Sequence, residues 1–169
     1  MGDKHDLLGF LYGEFWYADP LREIRSLNDE QLYWVPAPTA LPIIWQVGHI
    51  AHRERYHFGM FIEGIDRRKV IPDEFDAFGP EWASVADIRA SVPATADVLR
   101  WVQDVRRRSR EVIALLTESD LRRRANNPEP DSILTVEQWL HITAVHTGVH
   151  IGRIQLLRAL IEGKKERAC

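Results

Sequence analysis

Apolar positions recur at spacings of three and four along most of the chain, and no stretch alternates with the period of two that a half-buried strand requires. The clearest case is Val98, Val102, Val105, Ser109, Val112 and Leu116, whose spacing describes the inward seam of a bundle helix. Helix punctuation supports three further segments. A first helical region runs from about residue 4 to 27. Asp19–Pro20 interrupts it as a cap followed by a first-turn proline, so it is two pieces or one kinked helix. NDEQL (28–32) reads as a short helical turn, and VPAPTALP (35–42) as a proline-punctuated loop. A second helix extends from about Pro42 to Glu63, closed by Gly64. Ser91 is expected to cap the third, with Pro93 in its first turn, reaching roughly Thr117. Thr135 and Gln138 form a capping box that opens the last helix, and Gly163 closes it.

This pattern predicts an all-α fold, a four-helix bundle in a single domain over residues 1–169. Adjacent antiparallel helices need only short loops. The long segment 65–82, rich in Pro, Gly and Asp, therefore predicts a crossover, with helices two and three running the same way. A second loop spans 122–134.

Composition narrows the picture. With 45% hydrophobic and 28% charged residues and a net charge of −3, the chain resembles an ordinary soluble domain and has no general attraction for nucleic acid or an anionic membrane. The run RRRSR (106–110) reads as a solvated helix face, because Asp104 and Glu111 flank it. No stretch approaches the roughly 20 apolar residues of a membrane span, and MGDKHDLLGFLYGEFW does not resemble a signal peptide. The single cysteine, Cys169, excludes an intramolecular disulfide and an all-cysteine metal site. A reducing cytoplasm is the expected location.

The chemistry lies in the last helix, AVHTGVHIGRIQLLRALIEG (144–163), where His146 and His150 sit four apart. A helical wheel at about 100° per residue places both among Trp139, Ile142, Val145, Val149, Leu156 and Leu157, on the apolar half. A buried imidazole left without partners costs about 1–3 kcal/mol, and these two have Cβ atoms roughly 5–6 Å apart. Either hydrogen bonds in the core satisfy them, or one divalent ion takes both, as neutral imidazoles at i and i+4 can converge on it. A third ligand would come from the second helix, LPIIWQVGHIAHRERYHFGMFIEG. There Ile43, Val47, Ile50, Phe58 and Phe61 mark the main core face, and Trp45, His49, His52, Tyr56 and Met60 form a second stripe. His49 lies near the centre of that stripe beside Gly48, where a missing side chain leaves room. His52, one turn on, is the substitute. His57 and His5 fall elsewhere and are expected at the surface.

The segment WQVGHIAHRE (45–54), followed by HTGVHIGRI (146–154) and preceded by NDEQLYWVPAP (28–38), resembles the DinB-like superfamily of small metal-binding four-helix bundles. That superfamily includes thiol-transferase relatives and the N-terminal bundle of ergothioneine-synthesis enzymes. The likeness spans nearly the entire chain. It implies that His49, His146 and His150 are the metal ligands and that the second and third helices run parallel. Glu54 matches an acid common in the family's first-histidine helix; the wheel turns it toward the core, so it is expected to be paired there, for example with an arginine. Two positions depart from the family pattern. Arg153 replaces the glutamine of H-x-G-Q-I, and Thr147 stands where many members have glutamate, which removes a zinc-protease-type general base.

Three neutral histidines on one ion leave a coordination position open, the catalytic pattern, and suit zinc, nickel or iron. Arg153 shares the ligands' face and is a candidate for steering a substrate carboxylate or phosphate, with an ordinary bundle-end ion pair as the plainer reading. Tyr56 is a candidate proton donor or a core residue. The expected activity is that of a divalent-metal enzyme on a small-molecule substrate, hydrolytic or transferring a low-molecular-weight thiol, because Cys169 is badly placed to supply sulfur. The alternatives are a non-catalytic metal-binding stress or accessory protein whose ion is a staple or sensor, and a helical interaction module with structural histidines. Gly148 and Gly152, opposite the metal stripe, together with six tryptophans, predict a homodimer.

Overall fold

The computed structural model describes residues 19–79, 85–126 and 133–163. Most of the first expected helix, His5 and Cys169 lie outside them. The described chain opens with α1 (Pro20–Ile24), capped by Asp19 with Pro20 in its first turn as the sequence predicts. The turn α2 (Asp29–Leu32) follows, held by reciprocal bonds between Asn28 and Gln31. Next, α3 (Ile43–Tyr56) passes without a break into a π-helical turn, His57–Ile62. Gly64 ends it at a φ of 73°, a left-handed conformation that glycine adopts without penalty.

The crossover is more structured than a loop. It contains α4 (Arg67–Val70) and a 3₁₀ segment, Asp73–Phe78, that buries Phe75 and Phe78. The expected start of the third helix needs correction. Ser91 does not cap it; it ends a separate short helix, α5 (Val85–Ser91), and α6 (Thr95–Leu115) begins after Ala94. Pro93 accounts for this, since it disfavours helical geometry in Val92 before it. A short helix, α7 (Glu118–Arg122), follows within its own capping box of Thr117 and Asp120. Finally, α8 (Val136–Ile161) opens on the predicted Thr135–Gln138 box and stops at Gly163, φ 64°. Among the described residues the only bridge of β type is the isolated pair Arg124–Thr135, so the fold is all-α.

The core forms two clusters, and their membership gives the helix directions. One joins Ile43, Val47 and Ile50 of α3 to Val98, Val102 and Val105 of α6 and to Ile154 and Leu157 of α8. The other joins Phe58 and Phe61, just past α3, to Val112 and Leu116 and to Val136 and Leu140. Early positions of α3 thus meet early positions of α6 and late positions of α8. Helices α3 and α6 run parallel, and α8 runs against them, as the crossover predicts. No helix among the described residues is long and apolar enough to cross a membrane.

Packing on both sides makes α3 the central element, and Ile43 through His52 are all buried. Its Glu54 is fully buried and accepts a 2.7 Å hydrogen bond from Arg106 of α6. That pair fulfils the expectation for Glu54 and corrects the one for RRRSR. Arg107, Arg108 and Arg110 face solvent, but Arg106 and Ser109 point inward, because the α6 seam passes through this run.

The apolar half assigned to α8 also needs correction. Its buried side is Leu140, Thr143, Thr147, His150, Ile154 and Leu157. Ile142, Val145, Val149 and Leu156 are exposed. The helix is apolar on two sides, and only one of them meets the core.

Candidate metal centre

The site forms where the middle of α3 faces the middle of α8. Gly48 lets the crossover approach α3 closely. A Cβ at that position would lie 2.3 Å from the Phe78 ring, so the room beside His49 is occupied by Phe78. This contact sets the Phe78 carbonyl 2.6 Å from His49 Nδ1. A carbonyl only accepts, so Nδ1 carries the proton and Nε2 presents a lone pair inward. Trp45, one turn earlier, stacks on the His49 ring at 4.3 Å and 17°.

His150 is oriented by the same logic from α3. Its Nδ1 lies 2.6 Å from Gln46 Oε1, and Gln46 Nε2 donates to the Leu41 carbonyl at 3.5 Å. That second bond fixes which end of the amide faces His150, so His150 Nδ1 donates and Nε2 is left as a base. His146, one turn before, places Nε2 3.1 Å from His49 Nε2. Ring centroids lie 5.0 Å apart for His49–His146, 4.7 Å for His49–His150 and 4.4 Å for His146–His150. One ligand atom from each lies within 4.8 Å of the other two.

Burial keeps the His49 and His150 rings neutral. Burial, opposed by the Phe78 hydrogen bond and aided by the neighbouring histidines, lowers the His49 pKa to about 2. Burial, then His146, Arg153 and Arg53, lowers that of His150 to about 3. Neutral imidazoles with inward lone pairs are the donor set a divalent ion takes, and three of them leave coordination positions open. The residues fit such an ion, and the three could hold one.

The other predicted residues take separate places. His52 does not join the three. Its Nε2 lies 3.9 Å from Asp76 Oδ1 and within about 3 Å of where a Cβ on Gly79 would sit, on the crossover side of α3. Tyr56 is half-buried and packs edge-on against His57 and Phe61, at 6.2 and 5.7 Å between centroids. Arg153 is exposed one turn beyond His150 and lies close enough to depress its pKa; no ion pair holds it among the described residues. Thr147 is buried, with no carboxylate in its place.

His57, expected at the surface, is buried. Its Nδ1 lies 2.9 Å from Thr143 Oγ1, and that hydroxyl donates to the Trp139 carbonyl, so the histidine donates to the hydroxyl. Its ring packs on Trp139 at 5.1 Å. Burial, then His146, lowers its pKa to about 3. The sequence reading also missed Gln46 and Phe78. Gln46 was findable, since it lies three residues before His49 and so on nearly the same side of one helix. Phe78 left no signal, because its contribution is a backbone carbonyl.

The family model of the DinB superfamily matches residues 18–154. No curated protein matches the chain.

Proposed function

The chain belongs to the DinB superfamily, and from that premise we propose that it binds a divalent ion on His49, His146 and His150 and works as a metal-dependent enzyme. The observation that carries this reading is the convergence of three imidazole ligand atoms within 4.8 Å, two of them turned inward by Phe78 and Gln46. Bound there, zinc, nickel or iron would lower the pKa of coordinated water, polarise a carbonyl or hold a thiolate. Hydrolysis of a small molecule and transfer of a low-molecular-weight thiol are the two reactions this chemistry serves. In this reading the thiol is a separate small molecule, since the chain's single cysteine is Cys169, outside the sequence segments that carry the ligands.

Residues around the ion divide the remaining work. Gln46 and the Phe78 carbonyl hold two ligands in one tautomer. Trp45 covers one face of His49 and excludes water from it. Arg153, exposed and within electrostatic reach of His150, steers an anionic substrate group. Tyr56 is the proton donor in this reading, positioned through its contact with His57. The protein works in the cytoplasm.

Metal quantification of the purified protein beside His49→Ala, His146→Ala and His150→Ala tests the site. About one equivalent in wild type and its loss in each variant supports it; less than about a tenth of an equivalent in wild type, after reloading, overturns it. Turnover by the loaded protein with a panel of thiols, electrophiles and esters tests the enzymatic step.

The burial of His49 and His150 favours one second reading, an accessory protein whose ion acts as a staple or sensor. Metal loading without turnover, joined to a large drop in Tm on chelation, would support it, because binding free energy is then folding free energy.

A further inference from the structure

The side of α8 turned away from the core carries Ile142, Val145, Val149, Leu156 and Leu160, exposed by 39, 69, 50, 46 and 48%. Gly148 and Gly152 lie among them, and a Cβ added at either would meet nothing within 4 Å. Core packing among the described residues does not explain this face, since the core is served there by the opposite side through Leu140, Ile154 and Leu157. Between Gln138 and Leu157 the helix carries one formal charge, Arg153. A helix that is apolar on both sides is one that expects a cover on both.

The spacing of the outer face specifies the cover. Ile142, Val145, Val149, Gly152, Leu156 and Ala159 follow one another at three, four, three, four and three residues, the seam of a helix pair. We propose that two copies of this chain associate through this seam, with their α8 helices antiparallel about a two-fold axis passing level with the His150–Ile151 peptide.

Three features point to a second copy in this orientation. A two-fold contact must be self-complementary, and about that centre Ile142 meets Ala159, Val145 meets Leu156, and Val149 meets Gly152. The central and outer layers thus set a bulky side chain against a small one. A parallel pair would stack Gly152 on Gly152 and leave a void in the middle of the seam. Area agrees as well. The five exposed side chains present on the order of 500 Å² of apolar surface, toward the upper end of the largest patch a monomer leaves, which is often functional. Two such faces bury about 1,000 Å², where specific interfaces begin. Beyond the seam lies a cleft of about 250 Å³ lined by Glu30, Gln31, Trp34, Leu160 and Ile161. That cleft extends the contact past the end of the helix. None of this uses the three imidazoles, so the association stands or falls apart from the metal reading.

Sedimentation equilibrium of the full chain tests it, across a hundredfold range of concentration. A dimer mass is expected for wild type and half that mass for Val149→Glu, with equal helix content by circular dichroism. A wild-type monomer throughout overturns the proposal, including one whose α8 amides are protected by the chain's own residues 1–18. A Val149→Glu dimer overturns it too. Should Val149→Glu lose its helix content, chemical cross-linking replaces it. In a Cys169→Ser background, Val149→Cys and Gly152→Cys are mixed and treated with a short bis-maleimide. Cross-linking of the mixture well above either variant alone supports the antiparallel register. Equal or stronger linkage within Val149→Cys alone overturns it.

Discussion

Gln46 and His150, 104 residues apart, are joined by a 2.6 Å hydrogen bond that settles which nitrogen of the histidine faces the centre of the bundle. Removing the amide frees the ring to rotate and to change tautomer. Outer partners of this kind are typically worth about 10- to 100-fold in metal affinity. Gln46→Ala is therefore expected to bind zinc about 10- to 100-fold more weakly in a chelator competition, at unchanged helix content. Gln46→Glu, which keeps an acceptor, should recover most of the loss. Wild-type affinity in the alanine variant would remove Gln46 from the site.

Gly48 is the point where the crossover touches α3. An alanine there would overlap the Phe78 ring, at 2.3 Å. The ring must move, and its carbonyl moves with it, away from His49. Overpacking of this sort costs typically about 1–3 kcal/mol. Gly48→Ala should lower the urea midpoint accordingly and weaken metal binding together with it. Gly148→Ala, in open space inside α8, is the control: it should leave metal binding unchanged and should not lower the midpoint, since alanine is the better helix former.

The Glu54–Arg106 pair is closed off from solvent. Glu54→Ala deprives a buried guanidinium of its carboxylate, and breaking such a pair typically costs about 3–5 kcal/mol. Thermal and urea unfolding should show that loss in full. Replacing both residues by leucine should recover much of it, since no buried charge then remains. If the single variant unfolds like wild type, the pair does not stabilise the parallel packing of α3 and α6.

The buried histidines also set a direction for pH. His49 falls to about 2, His57 and His150 to about 3 and His52 to about 4, in each case chiefly through burial. Unfolded histidines titrate near 6.5, so from there down the unfolded chain takes up protons that the folded chain refuses. The stability these groups lend is complete above about pH 6.5 and is lost as the pH falls toward 4 and below. Each contributes a slope of up to about 1.4 kcal/mol per pH unit. Urea midpoints of metal-free protein at pH 8, 6.5, 5 and 4 should fall modestly over the first interval and steeply afterwards. A flat profile would mean that the rings are reached by water.

Several helix boundaries were legible where a side chain makes them: Asp19 before Pro20, Thr135 with Gln138, and the glycines at 64 and 163; the caps at Asn28, Asp66 and Thr117 went unread. The Ser91 cap was misread because Pro93 acts on the residue before it, a local steric effect that outranked a good capping residue. The histidine triad was visible as well, since two of its members share a turn of one helix. Burial was harder. His57 was placed at the surface, because only tertiary packing reveals that α3 and the turn after it are central. The wheel gave α8 one apolar half where there are two, because hydrophobicity alone does not separate a side that meets the core from a side left exposed among the described residues. Arg106 inside an arginine run was legible but passed over, for its inward turn follows from the register of Val102, Val105 and Ser109.

One consequence follows from the carbonyl of Phe78. Every amino acid brings the same oxygen to its own main chain, so no exchange of side chain at this position can delete the group that aims His49. What position 78 must supply is bulk of the right shape to wedge the strap against a bare glycine. The site's tolerance to replacement there is thus a question of volume, not of polarity.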